Sequence, residues 1–233
     1  MHQTGKKAQV KEMFDGIAHK YDFLNHFLSL GIDNIWRKKA LKNISAYKNP
    51  VILDVATGTG DFAIAALKYK PSSIIGVDLS PEMLRKGQDK MKRKGLDHII
   101  KLEVGDSENL RFTDNTFDAV TVAFGVRNFE NLEKGLSEML RVLKPGGKAI
   151  ILEFSKPRGA FFKGLFNFYF FNILPFLGRI VSKHNSAYTY LPESVDAFPS
   201  GSAFTDIMIG CGYSSVSSES LTGGIATIYT GVK

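Results

Sequence analysis

Cysteine and long apolar runs are what this chain lacks most. Among 233 residues there is one cysteine, Cys211, which excludes an internal disulfide, and no group of cysteines and histidines has metal-ligand spacing. A reducing, cytoplasmic compartment is the expectation, with no catalytic role for that thiol. The opening MHQTGKKAQVKEMFD holds no continuous apolar segment before a small-residue cleavage site, which argues against a secretory signal. The most apolar block, residues 160 to 181, is interrupted by Lys163, Pro175 and Arg179, and its unbroken part falls short of the ~20 residues that span a bilayer. Internal repeats and low-complexity segments are also missing.

What is there is an ordinary globular composition with a basic excess. At 44% apolar and 23% charged residues, a chain of this length suits one domain with one large core. The formal charge of +7 and pI near 9.3 favour an anionic partner, nucleic acid or membrane headgroups, without choosing between them. Much of the excess, Arg85, Lys86, Lys90, Lys92, Arg93 and Lys94, falls in one predicted helix, where a solvated outer face is the simpler account.

From Pro50 onward, short β-type runs alternate with helical stretches: VILDV, a helix from about Asp61, SIIGVD, a helix from Pro81, IIKLEVGD, FDAVTVAF, a helix near Asn131 to Val142, and KAIILEF. That rhythm predicts an α/β fold with a mostly parallel sheet and right-handed crossovers. Ser80, Pro81 and Glu82 have the order of an N-cap, an N1 proline and an early acid, and Lys144-Pro145-Gly146-Gly147 reads as a turn feeding the next strand. Near the C-terminus, SSVSSESL and GIATIYTGV flank Thr222-Gly223-Gly224, an antiparallel hairpin that brings the sheet to seven strands. Residues 1 to 49 read as a helical cover carrying Phe14, Tyr21, Phe23, Leu24, Phe27, Leu28 and Trp36. Residues 160 to 181 are dense in aromatics, among them Phe161, Phe162, Phe166, Phe168, Tyr169, Phe170 and Phe171, and form either a buried helix or a greasy lid.

The strongest local signal is DVATGTGD, Asp54 to Asp61, placed where a first strand meets a helix. Gly58 and Gly60 lack the Cβ atoms that would keep a ligand off the backbone, and the helix N-terminus offers free N–H groups. With Ala63 the segment also satisfies G-x-G-x-x-A, so a nicotinamide or flavin enzyme stays open. Asp78 closes the second strand, where a carboxylate can accept hydrogen bonds from both ribose hydroxyls. Asp106 ends the third strand, where with the Ser107 backbone it can read adenine. Either cofactor type would use these two; Asp54 beside the loop suits a cationic sulfonium better than a pyrophosphate.

These residues resemble class I S-adenosylmethionine-dependent methyltransferases, and longer segments sharpen the likeness. YDFLNHFLS, Tyr21 to Ser29, with Trp36 seven residues later, and Arg141 to Gly147 continuing to Glu153-Phe-Ser155, are similar to the signature segments of the ubiquinone/menaquinone biosynthesis C-methyltransferase family; Phe124 to Phe129, FGVRNF, resembles its motif after strand four. The likeness runs from about Val10 to the C-terminus. It departs at Leu24, Asp33 and Ala123, where the family usually has methionine, histidine and, in some members, a cofactor-contacting serine.

The resemblance implies a single Rossmann-like methyltransferase domain over residues 1–233: a cover at 1–49, a cofactor-binding core at 50–155, a substrate-side insertion at 156–199, and a C-terminal helix and hairpin at 200–233. Thr59, Asp78, Asp106 and Ser107 would contact S-adenosylmethionine, with Gly58 and Gly60 shaping the loop, and no metal is expected. The acceptor would be a prenylated quinol, most simply demethylmenaquinol, with a ubiquinone-pathway benzoquinol, an RNA or another small molecule as alternatives. Nucleic acid is not the expected partner, because no stacking platform is present. A lipid-tailed substrate implies transient contact with the inner face of the membrane; a homodimer stays open. In-line methyl transfer requires alignment and a phenolate-like ring, so Arg127 is expected to stabilise the phenolate and Asn128 to orient it or the ring oxygen. His184, Tyr188 and Tyr190 are candidate proton acceptors, whereas His19, His26 and His98 are expected to be surface or packing residues.

Overall fold

The computed structural model describes residues 5–19, 31–157, 164 and 186–233. Tyr21 to Ser29 (His26 among them), the aromatic residues of the block at 161–171 and His184 lie outside them, and of Tyr188 only the backbone is described.

The predicted alternation is realised. Helices α1 (Lys6–Ile17) and α2 (Ile32–Leu41) precede β1 (Val51–Val55), α3 (Asp61–Ala66), β2 (Ser73–Asp78), α4 (Pro81–Lys94), β3 (Ile100–Val104), β4 (Phe117–Ala123), α5 (Leu132–Val142) and β5 (Leu143–Phe154). Then come α6 (Ser186–Ala197), α7 (Ser202–Gly210), β6 (Ser214–Leu221) and β7 (Ala226–Val232). The sheet has seven strands in the order β3-β2-β1-β4-β5-β7-β6. All pairs from β3 to β5 are parallel, and β7 runs antiparallel to both β5 and β6.

Each central strand buries both faces, which is why it reads as a continuous apolar run. Leu53 and Val55 of β1, Val120 and Val122 of β4 and Ile151 of β5 pack under Leu136 and Met139 of α5 and Phe204 of α7. Ile52, Ala119 and Ile150 point the other way, toward Trp36 and Leu41 of α2, Phe62 of α3, and Leu84 and Met91 of α4. The two-residue strand period sorts the side chains between the two layers. Each fully buried Leu or Met contributes about 1.5–3 kcal/mol.

The helix ends follow the predicted chemistry. Ser80 Oγ accepts from Met83 N at 3.1 Å ahead of Pro81, and Gly95 closes α4 in the left-handed conformation. Asn131 caps α5 by accepting from Lys134 N at 2.9 Å. Two readings need correction. Lys144 to Gly147 is not a turn ahead of a strand: β5 begins at Leu143, and the pairing jumps from Phe117↔Leu143 to Ala119↔Lys148, so the Pro-Gly-Gly segment is a bulge inside the strand. The third strand ends at Val104, which places Asp106 in the following loop rather than on the strand.

Candidate active site

The chain proceeds from β1 outward through β2 to β3 and then crosses to β4 on the other side of β1. The carboxyl ends of β1 and β4 therefore frame a crevice at the point where strand order reverses, the usual ligand position in open α/β sheets. Two loops bend sharply there, with Ala56 at φ 52° and Phe124 at φ 59°, backbone conformations that non-glycine residues rarely adopt. A Cβ on Gly125 would lie 2.6 Å from the Ala56 Cβ, so this glycine lets the loops meet.

The larger cleft, about 670 Å³ of empty space open to solvent, is bordered by Ala56, Asp78, Ser80, Ser107, Glu108, Phe124 and Asn128 on the sheet side. Lys7, Val10, Lys11 and Phe14 of α1 form the opposite wall. Asp78 is one of its lining residues. Its Oδ2 accepts from Gly58 N at 2.8 Å and its Oδ1 from Ser80 N at 2.9 Å, joining the β1 and β2 loops. A carboxylate offers about four lone-pair directions, so two backbone bonds leave acceptor capacity. Burial pushes this carboxyl above its usual range, against the pull of the two backbone donors.

Asp106 stands at the rim, where Oδ2 accepts from Lys7 Nζ at 2.8 Å and Oδ1 from Glu108 N at 2.9 Å. Partial burial works to raise its pKa, but the Lys7 bond, the Glu108 N–H and the nearby lysine charges together outweigh it and hold the carboxyl below the ordinary range. Glu108, missed in the sequence, is buried; it accepts from Glu130 N and Asn131 N and pairs with Lys7 at 2.9 Å. Lys6 binds the carbonyls of Arg127 and Phe129, and Asp15 accepts from the Ser80 hydroxyl. Helix α1 is thus fixed over the cleft by charge.

A second, smaller cleft of about 320 Å³ adjoins the first at Ala56 and Ala123 and is bordered by Arg37, Asp54, Thr57, Thr59, Asp61 and Phe62. Asp54 is buried, taking hydroxyl bonds from Thr57 at 2.6 Å and Thr121 at 2.7 Å. Burial pushes its carboxyl up to about 6 despite those bonds.

The predicted residues fall into three groups. Asp78, Ser107 and Asn128 border the larger cleft, while Gly58 and Asp106 stand behind it, bonded to its lining residues Asp78 and Lys7. Thr59 faces the smaller one, its hydroxyl accepting from Lys90 Nζ at 3.0 Å, so it does not share a subsite with Asp78 and Asp106. Lys90 therefore faces inward, unlike the outer-face residues of its run. Gly60 borders neither cleft: its φ is 83°, a left-handed conformation that favours glycine, and the flexible Met91 side chain of α4 packs over it. His19 and His98 are exposed, as expected.

Arg127 differs most from the sequence reading. Its Nη1 lies 2.7 Å from Glu153 Oε1 and also donates to the Phe124 carbonyl, while Nε donates to Ser194 Oγ at 3.3 Å. The side chains of the pair are 7% and 0% exposed, so the guanidinium is spent on a buried ion pair rather than presented as a spare cation. Burial holds the Glu153 carboxyl above its usual range, with the Arg127 charge opposing it only in part. The signal was in the sequence: a glutamate inside KAIILEF has to find a partner. Beside the pair, Tyr190 Oη donates to Asn128 Oδ1 at 3.0 Å.

Comparison with known proteins places this geometry. A model of the ubiE/COQ5 methyltransferase family matches residues 2–233. The chain is 49% identical over 231 residues to demethylmenaquinone methyltransferase of Bacteroides fragilis, covering 98% of this chain and 94% of that one. It is also 49% identical over 232 residues to the ubiquinone/menaquinone biosynthesis C-methyltransferase UbiE of Geotalea daltonii, covering 99% and 98%. Among solved structures, the [4+2]-cyclase SpnF superposes with a TM-score of 0.72 at 16% identity over 98% and 96% of the two chains. An S-adenosylmethionine-dependent methyltransferase of Aquifex aeolicus gives 0.60 at 19% identity over 84% and 89%, a likeness of fold. With a family match over nearly its whole length and this arrangement of loops around the switch point, the chain belongs to the ubiE/COQ5 methyltransferase family.

Proposed function

We propose that this methyltransferase uses S-adenosylmethionine to methylate a ring carbon of a prenylated quinol, converting demethylmenaquinol to menaquinol. The observation that carries the reading is Asp78: its carboxylate is pinned by Gly58 and Ser80 on the wall of the larger cleft with acceptor capacity to spare. That fits the ribose of an adenosine, and the adjoining cleft beside Asp54 provides room and negative charge for a sulfonium-bearing arm. When bound, the cofactor supplies the methyl group.

The chain's own residues do the rest. Asp106 and the Ser107 backbone, at the rim of the larger cleft, face the adenine. The small Ala56 and Ala123 lie where the two clefts meet, and Phe124 beside them in the larger cleft keeps water from the line of transfer. On the acceptor side, Tyr190 occupies Asn128 Oδ1, which leaves Nδ2 to donate to a ring oxygen as it gains phenolate character. The Arg127–Glu153 pair holds the loop that carries Asn128, so Arg127 is a positioning residue.

The quinol acceptor is supported by the name of the B. fragilis relative, and a ubiquinone-type benzoquinol is the second reading, favoured by the name of the G. daltonii one. An isoprenoid tail calls for contact with a membrane surface, consistent with the net charge of +7; no helix among the described residues is long and apolar enough to cross a membrane. Mass spectrometry of the quinone pool in cells lacking the gene tests the reading. Accumulation of a quinone short of one ring methyl group, reversed by restoring the gene, is expected; an unchanged pool contradicts it.

A further inference from the structure

Arg37 lies outside everything assigned above. It sits on α2, with its side chain 7% exposed, and it borders the smaller cleft. Its Nη2 and Nη1 are each 3.4 Å from a carboxylate oxygen, of Asp33 and Asp61 respectively, a separation longer than a well-formed charged hydrogen bond. Its Nε is buried and has no acceptor among the described residues. A guanidinium presents a rigid fork of donors, and burying an unused N–H is costly, so a nearly enclosed arginine with loose partners is suited to receive a planar anion.

The surroundings select which anion. The cleft joins the larger one at Ala56 and Ala123, so a molecule whose ribose meets Asp78 extends its other arm past Ala56 toward Arg37. Asp54, Asp61 and Arg37 border that arm's cleft, and Asp33 and Lys90 stand behind them, paired with Arg37 and Asp61 respectively. The formal balance of three negative and two positive groups complements a sulfonium attached to a zwitterionic amino acid. Position is secured by the neighbour: Trp36 donates from Nε1 to Thr222 Oγ1 at 2.9 Å and packs against Phe124 and Phe154, which locks α2 and hence Arg37.

We infer that Arg37, steered by Asp33 one turn earlier on α2 and by Asp61, binds the α-carboxylate of the methionyl arm of S-adenosylmethionine. Asp33, one of the positions where the chain departs from its family pattern, then acts as the counter-charge that aims the guanidinium. The inference rests on the S-adenosylmethionine reading and goes beyond it by placing the amino-acid end.

Two ligands separate the inference from the reading. S-adenosylhomocysteine carries the carboxylate, and 5′-methylthioadenosine keeps the adenosine and sulfur but lacks the amino-acid group. Calorimetric titration of both into the wild-type protein and Arg37→Gln is expected to show S-adenosylhomocysteine weakened about 30-fold or more, with methylthioadenosine changed less than about threefold. Equal effects on both ligands overturn the inference while leaving the reading intact; no binding of either ligand to the wild type overturns both. Arg37→Gln strands Asp33 and Asp61 and can lose the fold, which a thermal melt reports. Arg37→Lys keeps the charge without the fork, and a selective loss of S-adenosylhomocysteine of about fivefold is expected of it. An unchanged ratio of the two affinities in that variant also overturns the inference.

Discussion

Lys7 Nζ lies 2.8 Å from Asp106 Oδ2, a pairing across 99 positions of sequence that ties α1 to the rim of the cleft opposite. With the companion contact to Glu108, it makes the first helix a wall of the site. Lys7→Met is expected to let the wall open. Because Lys7 and Asp106 are both about one-third exposed, the cost is modest: about a fivefold loss of S-adenosylhomocysteine affinity, carried mainly by faster dissociation in stopped-flow. The single tryptophan, Trp36, packs against Phe124 at the cleft and offers the signal.

Asp78→Ala removes the bridge between Gly58 and Ser80 and, with it, the carboxylate proposed to accept from the ribose. Loss of a hydrogen-bonded carboxylate from a binding site costs ~2–3 kcal/mol or more, so affinity for S-adenosylhomocysteine falls by about 100-fold. Isothermal titration measures this directly, and the melting temperature should drop as well because the loops lose their tie.

The Arg127–Glu153 pair separates stability from chemistry. Glu153→Ala leaves a buried guanidinium without its partner, at a cost of roughly 3–5 kcal/mol and a fall in melting temperature on the order of 10 °C. The double variant Arg127→Met, Glu153→Leu buries no charge, so most of that stability returns. Turnover does not return with it, since the Asn128 loop loses the bonds to Glu153 and Ser194 that hold it. Full recovery of turnover in the double variant would show that the pair positions nothing.

Asp54 sets a pH dependence. Its folded-state pKa, raised by burial to about 6 from an ordinary 3.8, means that its charge is present above that value and lost below it. Ionised Asp54 therefore costs the fold stability above pH 6, and that cost is relieved as pH falls toward 3.8. Binding of a cation beside it behaves oppositely. Affinity for S-adenosylmethionine is expected to hold from pH 8 to 6.5 and to decline below about 6, by up to tenfold per pH unit while this group dominates. Asp54→Asn should remove the slope in the same titration series.

The sheet was legible because continuous apolar runs such as VILDV and FDAVTVA sit between turn and cap residues, and two-faced burial leaves no other use for them. The Asp78 end of β2 was legible for the same reason, being the first charge after such a run. Three features escaped a linear reading. Gly60 looks like a ligand-binding glycine, yet it borders neither cleft, and its φ of 83° is what disfavours a side chain there. The wall formed by Lys7 and Glu108 depends on pairing between distant charges, and surface-like lysines carry no local mark of such a partner. Arg127 showed its type but not its occupancy, because its partner Glu153 is 26 residues away on the next strand.

Methyl transfer to a defined acceptor tests the central claim most directly. The purified protein, incubated with S-adenosylmethionine carrying a labelled methyl group and chemically reduced demethylmenaquinone, is expected to place the label on the ring carbon and yield menaquinol. Normal binding of S-adenosylhomocysteine together with no label on any reduced naphthoquinone or benzoquinone would contradict the account.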